Sequence, residues 1–481
     1  MQLSKSKQIL FYTVSLIFLA ANLFLIYKNI YYLSFLPLVL IFIAYNFISL
    51  DKILLTITFF TPLSITLSYF IPDIGFNLSL PTEPLLIGVF LLFIYKLLLD
   101  GKFDKKVLLH PISIAIYINF FWLFLTSLTS TLPLVSFKFL LSRLWYITVF
   151  YFLGTQVFKN PKNIDRFIFL FTAALLLVIT YNIYRLSGYG LDNQHASNFV
   201  IQPFFPDHTS YGAILVMFFF PLVGFVFRKD LSLFAKTNLW IILLYISFAI
   251  TISYTRAAWL SLIAAIAFWG ILKLKIKLRT IIITISTIVI IAFVFQNQIL
   301  YQLEGNDIES SGNFAEHIES MANISTDASN LERINRWKCA IRMFKEKPFW
   351  GWGPGTYMFN YAPFQFSYEK TIISTDFGNM GNAHSEYLGP LAESGILGTL
   401  TFIVIVALVI STGIRVYKTT NTKKNKILAL TILLALSSYF AHGLLNNFLD
   451  TDKASVPFWG FIGILVALDV NYKKEEKTFY R

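Results

Sequence analysis

Residues 388–414 read LGPLAESGILGTLTFIVIVALVISTGI, and no charge interrupts the run from Ser394 to Ile414. A bilayer-spanning helix needs about 20 mostly apolar residues, and this stretch supplies them. Runs of 16 to 25 apolar residues recur near 8–27, 30–49, 53–71, 83–99, 112–130, 137–157, 164–185, 209–227, 239–253, 257–272, 280–296, 427–449 and 455–470. Two are weaker: 239–253 is short, and 137–157 carries Lys138 and Arg143. The 481 residues are 56% hydrophobic and 14% charged, against about 25% charged in a soluble domain. Mean hydropathy is +0.65. A set of soluble domains is excluded, because a water-soluble fold has nowhere to bury so many long runs. The chain reads as an all-α polytopic membrane protein with 12–14 transmembrane helices. The opening run, behind Lys5 and Lys7, is longer than a signal-peptide core and lacks a small-residue cleavage site, so it reads as the first span.

Alternate connections are basic: Lys5 and Lys7, then Lys102 to Lys106, Lys159 to Arg166, Arg228 to Lys236, Lys273 to Arg279, Arg415 to Lys426, and Lys473 to Arg481. On this reading 26 of the 39 Lys and Arg share one side, a net of +18 there against −5 opposite. The positive-inside rule puts that side, and both termini, in the cytoplasm. The overall +13 is therefore a topology signal and calls for no nucleic-acid partner. The lone Cys339 excludes an internal disulfide and a cysteine-based metal site.

One hydrophilic segment, 297–385, stands on the outer side with 7 basic and 10 acidic residues. It divides the chain into 1–296, with about 11 spans, the loop itself, and 386–481, with about three spans and a tail. Gly305 to Ser329 is rich in Ser, Asn, Asp and Glu. Leu331 to Lys347 is patterned as a helix, with Ile334, Trp337, Ile341 and Phe344 forming one face. Such a helix either lies on the outer membrane surface or packs on the rest of the loop. Pro348 ends it, and FWGWGPG follows.

Charges at membrane depth are functional candidates by default. Arg256, in ISYTRAAWLS, sits at an outer helix end and offers a permanently charged fork suited to phosphate. His384, just before the 388–414 span, can take a proton near neutral pH. His208 and His442 also lie toward the outer side, whereas His110 falls on the cytoplasmic side and His317 in the polar part of the loop. No HExxH or Walker-type motif is present, and Asp450 and Asp452, which flank Thr451, lie in a short outer turn beside Lys453, so neither a metal nor a nucleotide cofactor is expected.

Three stretches together resemble the O-antigen ligase and polymerase superfamily. SYTRAAWL carries Arg256 in a Ser/Thr-Arg-small pattern. LERINRWKCAIRMFKEKPFWGWGPGTY carries Arg333 and Trp337, then Pro348, Gly351 and Gly353. NAHSEYLGPLAESGILG carries His384, then Glu393, Gly395 and Gly398. The resemblance covers about residues 205–450 and departs at Ser385, where the family usually has Asn.

The resemblance implies an inner-membrane glycosyltransferase, metal-independent and inverting, working on the periplasmic side. Its donor would be a glycan on undecaprenyl pyrophosphate and its acceptor a lipid A–core sugar or another glycan hydroxyl. In that reading His384 is the base. Arg256 and Arg333 hold the pyrophosphate, with Arg336 in reserve; His208, His442 and Glu386 are secondary candidates. A polymerase of O-antigen, capsule or exopolysaccharide is the alternative within the family. The single dominant outer loop favours a ligase. A transporter or lipid-linked glycan flippase is the rival from another class, but no internal repeat is visible.

Overall fold

The computed structural model describes residues 5–28, 49–71, 78–101, 103–277, single positions between 279 and 294, 328–371, 374 and 381–479. The expected span at 30–49 up to residue 48, most of 280–296, and the polar stretch 305–327 with His317 lie outside the described residues. The chain divides into two units, Met1–Ile53 and Leu54–Arg481. The first holds helix α1 (Lys5–Tyr27), whose apolar stretch Ser15–Tyr27 leaves side chains such as Leu16 and Leu23 exposed.

Helix α2 (Leu50–Phe60) corrects one expectation. The run 53–71 is not one span. The helix tightens at Thr61–Leu63, where Pro62 lacks the N–H needed to continue it. The chain then forms a two-residue strand, β1 (Ile65–Thr66), paired antiparallel with β2 (Ser79–Leu80).

Among the described residues of the second unit, ten helices are long and apolar enough to cross a membrane. They are α3 (Thr82–Asp100), α4 (Pro111–Leu128), α5 (Pro133–Tyr146, carried on to Val157 through a π-helical stretch), α6 (Pro161–Ser187), α7 (His208–Val226), α8 (Leu233–Ile252), α9 (Arg256–Lys273), α11 (Leu388–Thr419), α12 (Lys423–His442) and α13 (Asp452–Phe479). The outer-loop helix α10 (Ala328–Glu346) lies between α9 and α11 in the chain. The helix starts are written locally. Pro111, Pro133 and Pro161 occupy the first turn, where a missing N–H costs nothing. Asn160, Asp207, Ser232 and Thr422 accept N–H bonds as side-chain caps. Both weaker runs, 137–157 and 239–253, prove to be full-length helices.

Helices α7, α12 and α13 are the most enclosed, while α8 and α9 turn Leu244 and Ile263 outward. Helix α12 packs on α7 and α9, α11 on α4 and α12, and α10 on α11. These contacts link α7, α9 and α12 through α11 to α10.

The glycine motifs form the joint that holds the loop to the bundle. At Gly395 the backbone of α11 leaves helical geometry (φ 66°, ψ −168°), a region open to glycine. The kink frees the carbonyls of Ala392 and Glu393. Trp352 N–H donates to the first at 3.1 Å and Gly353 N–H to the second at 2.7 Å, and Ile396 N–H returns a bond to Pro348 O at 3.0 Å. A Cβ on Gly395 would collide with the Phe349 carbonyl. Trp122 of α4 seals the joint, donating to Ser394 O at 2.8 Å and stacking on Trp350.

The buried stripe of α10 differs from the expected face. Glu332, Asn335, Arg336, Cys339, Ala340 and Met343 point inward, while Ile341 is exposed. Packing is decided here by polar partners that a hydrophobic pattern does not register. Asn335 reaches Gln365, and Arg336 reaches Glu332.

Candidate active site

Helices α7 and α9 begin at the same end of the bundle, and their N-termini meet. Thr255 Oγ1 donates to the carbonyl of His208 at 2.8 Å, and Gly212 lets the two helices approach at Thr255 and Ala258. Helix N-termini present unpaired N–H groups and partial positive charge, the natural seat for an anion. Arg256 is the first residue of α9 and adds a full charge at that point. Tyr254, two residues before it, sits in the left-handed region (φ 48°). Asp207 caps α7, its Oδ1 accepting from Thr209 N and Ser210 N at 2.8 Å.

His384 is brought to the same place from the loop. It too is left-handed (φ 48°), an arrangement costing about 1–3 kcal/mol that persists only when neighbours enforce it. Two bonds do so here: His384 N–H donates to Asn382 Oδ1 at 3.0 Å, and Trp337 Nε1–H donates to the His384 carbonyl at 3.3 Å. Burial, then Arg333 and Arg336, push the imidazole down to about 4, against the opposing pull of Asp207 and Glu332. His384 is therefore neutral at ordinary pH and able to accept a proton.

The charged groups facing His208 are Asp207, Arg333 and Arg256. Those facing His442 are Arg333 and Asp207. Arg333 thus faces His208, His384 and His442, and Arg256 faces His208, although these five residues come from α7, α9, α10, α12 and the loop. Among the described residues, Nδ1 of His208 and Nδ1 of His442 are buried without a hydrogen-bond partner, and His442 Nε2 lies 3.2 Å from Asn446 Nδ2.

The remaining two candidates are committed to structure. Arg336 pairs with Glu332 at 2.5 Å, lies 4.0 Å over the Tyr361 ring and is 2% exposed. Glu386 Oε1 accepts from Tyr439 Oη at 2.8 Å, Phe448 N at 2.7 Å and Leu449 N at 2.9 Å, stapling the loop end to the turn after α12. Burial raises its carboxyl above the usual range. Cys339 is packed, donating to Phe364 O, and burial pushes its thiol up to about 11. Among the described residues, no group of three or more His, Cys, Asp or Glu is placed to hold a metal ion.

Residues 241–403 match the family model described as O-antigen ligase. This stretch is O-antigen ligase-like. It contains Arg256, Arg333, Arg336 and His384, whereas Asp207, His208 and His442 lie outside it. No curated protein matches the chain. The match supports a membrane enzyme of the O-antigen ligase or polymerase kind.

Beside the ligase-like site, motif reading missed a second charged group. Lys138, Arg143, Glu393 and Asp450 line a cavity of about 380 Å³, whose wall also includes Asn382, Ala383, Ser385 and Glu386. Lys138 and Arg143 had counted only as blemishes in a span. The signal was present, since a charge within an apolar run marks a site by default.

Proposed function

We propose that the protein transfers a glycan from undecaprenyl pyrophosphate to a hydroxyl acceptor at the periplasmic face of the bacterial inner membrane, as an O-antigen ligase does. The observation that carries this reading is the convergence of Arg256, Arg333 and the neutral His384 at paired helix N-termini. Sugar nucleotides are absent outside the cytoplasm, so the activated donor there is lipid-borne.

The pyrophosphate sits at the N-termini of α7 and α9, held by Arg256 and Arg333. The acceptor O–H attacks the anomeric carbon and its proton passes to a ring nitrogen of His384. The bond from the anomeric carbon to the phosphate oxygen breaks, its electron pair leaves with undecaprenyl pyrophosphate, and the configuration inverts. The two arginines stabilise the charge that grows on the leaving group, so no metal is required. Arg336 acts by holding the loop, and His208 and His442 border the anion. Both termini are cytoplasmic and 297–385 is the periplasmic loop that closes the site.

Glycan profiling after gene deletion tests the reading. Loss of long chains from lipid A–core with accumulation of lipid-linked polymer means a ligase. Single repeats still attached to the acceptor mean a polymerase, and unchanged profiles contradict the proposal.

A further inference from the structure

The cavity of about 380 Å³ beside segment 382–386 has no role in the transfer chemistry above. Its size lies within the roughly 300–1,000 Å³ of small-molecule sites. Its wall includes Asn382, Ala383 and Ser385, so it begins within one residue of His384. Three buried polar atoms on the residues lining it have no hydrogen-bond partner among the described residues: Arg143 Nε and Trp145 Nε1, both donors, and Asn447 Oδ1, an acceptor. Buried polar groups are nearly always paired, so each such exception asks for an explanation. Arg143 faces Glu386, Glu393 and Asp450 electrostatically, yet among the described residues none of them forms an ion pair with it.

The carboxylates are themselves pinned. Glu386 is held by Tyr439, Phe448 and Leu449, and Glu393 accepts from Tyr357 N at 2.9 Å. Arg143 lies instead over the Phe139 ring, 4.9 Å from its centre. Rings of Trp145 and Tyr357 complete the wall.

A ligand that fits must both donate and accept, offer apolar faces to aromatic rings, and carry no negative charge. The two cations of the lining, Lys138 and Arg143, face four carboxyl groups, Glu83, Glu386, Glu393 and Asp450, so the cavity offers no excess of positive charge to hold a phosphate. We infer that this cavity is a subsite for an uncharged sugar ring of the acceptor glycan, with Arg143 and Asn447 reading its hydroxyls. The inference rests on the transferase reading for the word acceptor. Inversion requires the nucleophile to arrive opposite the leaving group, and the cavity's wall includes neither Arg256 nor Arg333, which hold the leaving group in that reading.

The test uses the full chain in nanodiscs, with Cys339→Ser and Met358→Cys; Met358 also lines the cavity. Maleimide labelling of the new thiol is timed with glucose, galactose, mannose or N-acetylglucosamine, and with inorganic phosphate or magnesium chloride as alternative occupants. At least one sugar should slow labelling about tenfold, as expected when a charge-assisted bond is made. Phosphate and magnesium should not, and Arg143→Gln and Asn447→Leu should each abolish protection while keeping the wild-type thermal midpoint. In transfer assays the two variants should raise acceptor KM about tenfold and leave donor KM unchanged. Protection by phosphate or magnesium alone, by no sugar, or by sugars equally well in both variants overturns the inference. Sugar protection in a chain that transfers no glycan overturns the transferase reading instead, and normal transfer without protection overturns only the subsite.

Discussion

The indole N–H of Trp337 donates to the His384 carbonyl at 3.3 Å. Trp337 lies one helical turn after Arg333 on α10, so this bond fixes the imidazole relative to the arginine that faces it. The tryptophan of the Arg-x3-Trp pattern is thereby a positioning residue. Trp337→Phe keeps the ring and deletes the donor. It should lower turnover about tenfold, the effect of one hydrogen bond worth about 1–1.5 kcal/mol, with donor affinity unchanged. Equal loss in both would show that the bond serves folding alone.

The pH profile follows from the depressed His384 pKa. The imidazole is held down to about 4 by burial and by Arg333 and Arg336. The base form is then present above that value and is lost as pH falls through it. The acidic limb of kcat/KM, which reports the free enzyme, should lie near pH 4 instead of near the ordinary value of about 6.5. Arg333→Gln removes a lowering charge and should move the limb up; Asp207→Asn removes a raising charge and should move it down. Shifts in the opposite directions would contradict the assignment.

Gly395 tests the joint between loop and bundle. Gly395→Ala places a methyl against the Phe349 carbonyl at a positive φ, so it should destabilise by at least about 1–3 kcal/mol. Gly88→Ala, in α3 with nothing within 4 Å of the added Cβ, should be neutral or slightly stabilising. Thermal unfolding of the purified variants compares them directly.

Arg336 and Glu332 form a buried pair. Removing one partner of such a pair typically costs about 3–5 kcal/mol. Arg336→Ala should therefore lower the unfolding temperature and reduce the amount of folded protein. In whatever folds, donor binding should remain, which separates Arg336 from Arg256 and Arg333.

The orientation is tested with a cysteine at Asn421 or Ser320 in a Cys339→Ser background. An impermeant reagent on cells with a permeabilised outer membrane should label Ser320→Cys and spare Asn421→Cys. The reverse pattern would invert the topology.

Most of the helices were legible because hydrophobic runs of span length are a strong signal, and Pro and Asn/Asp/Ser/Thr starts mark their ends. The break at Thr61–Pro62 was harder to see, since Leu63, Ile65 and Leu67 prolong the apolar run past it. The buried face of α10 was missed for a physical reason. Its inward residues include Glu332, Asn335 and Arg336, whose burial is made possible by partners distant in sequence, Thr371, Gln365 and Tyr361, together with the Glu332–Arg336 pair within the helix. Arg256, Arg333 and His384 were found by motif, but Asp207 was not, because its effect on the histidines depends on α7 and α9 meeting at their ends. The role of Gly351, Gly353 and Gly395 as one backbone joint also appears only when both segments are seen together.

The most direct test measures donor binding and glycan transfer side by side in wild type, Arg256→Ala, Arg333→Ala and His384→Ala, using purified protein with lipid-pyrophosphate donor and glycan acceptor. Loss of one charge-stabilising donor typically costs about 10²–10³ in rate, and loss of a general base about 10²–10⁴. All three variants should fold and transfer glycan at rates lower by such factors, with donor binding weakened in the two arginine variants and retained in His384→Ala. Transfer by His384→Ala at the wild-type rate, or unaltered donor binding in both arginine variants, would contradict the account.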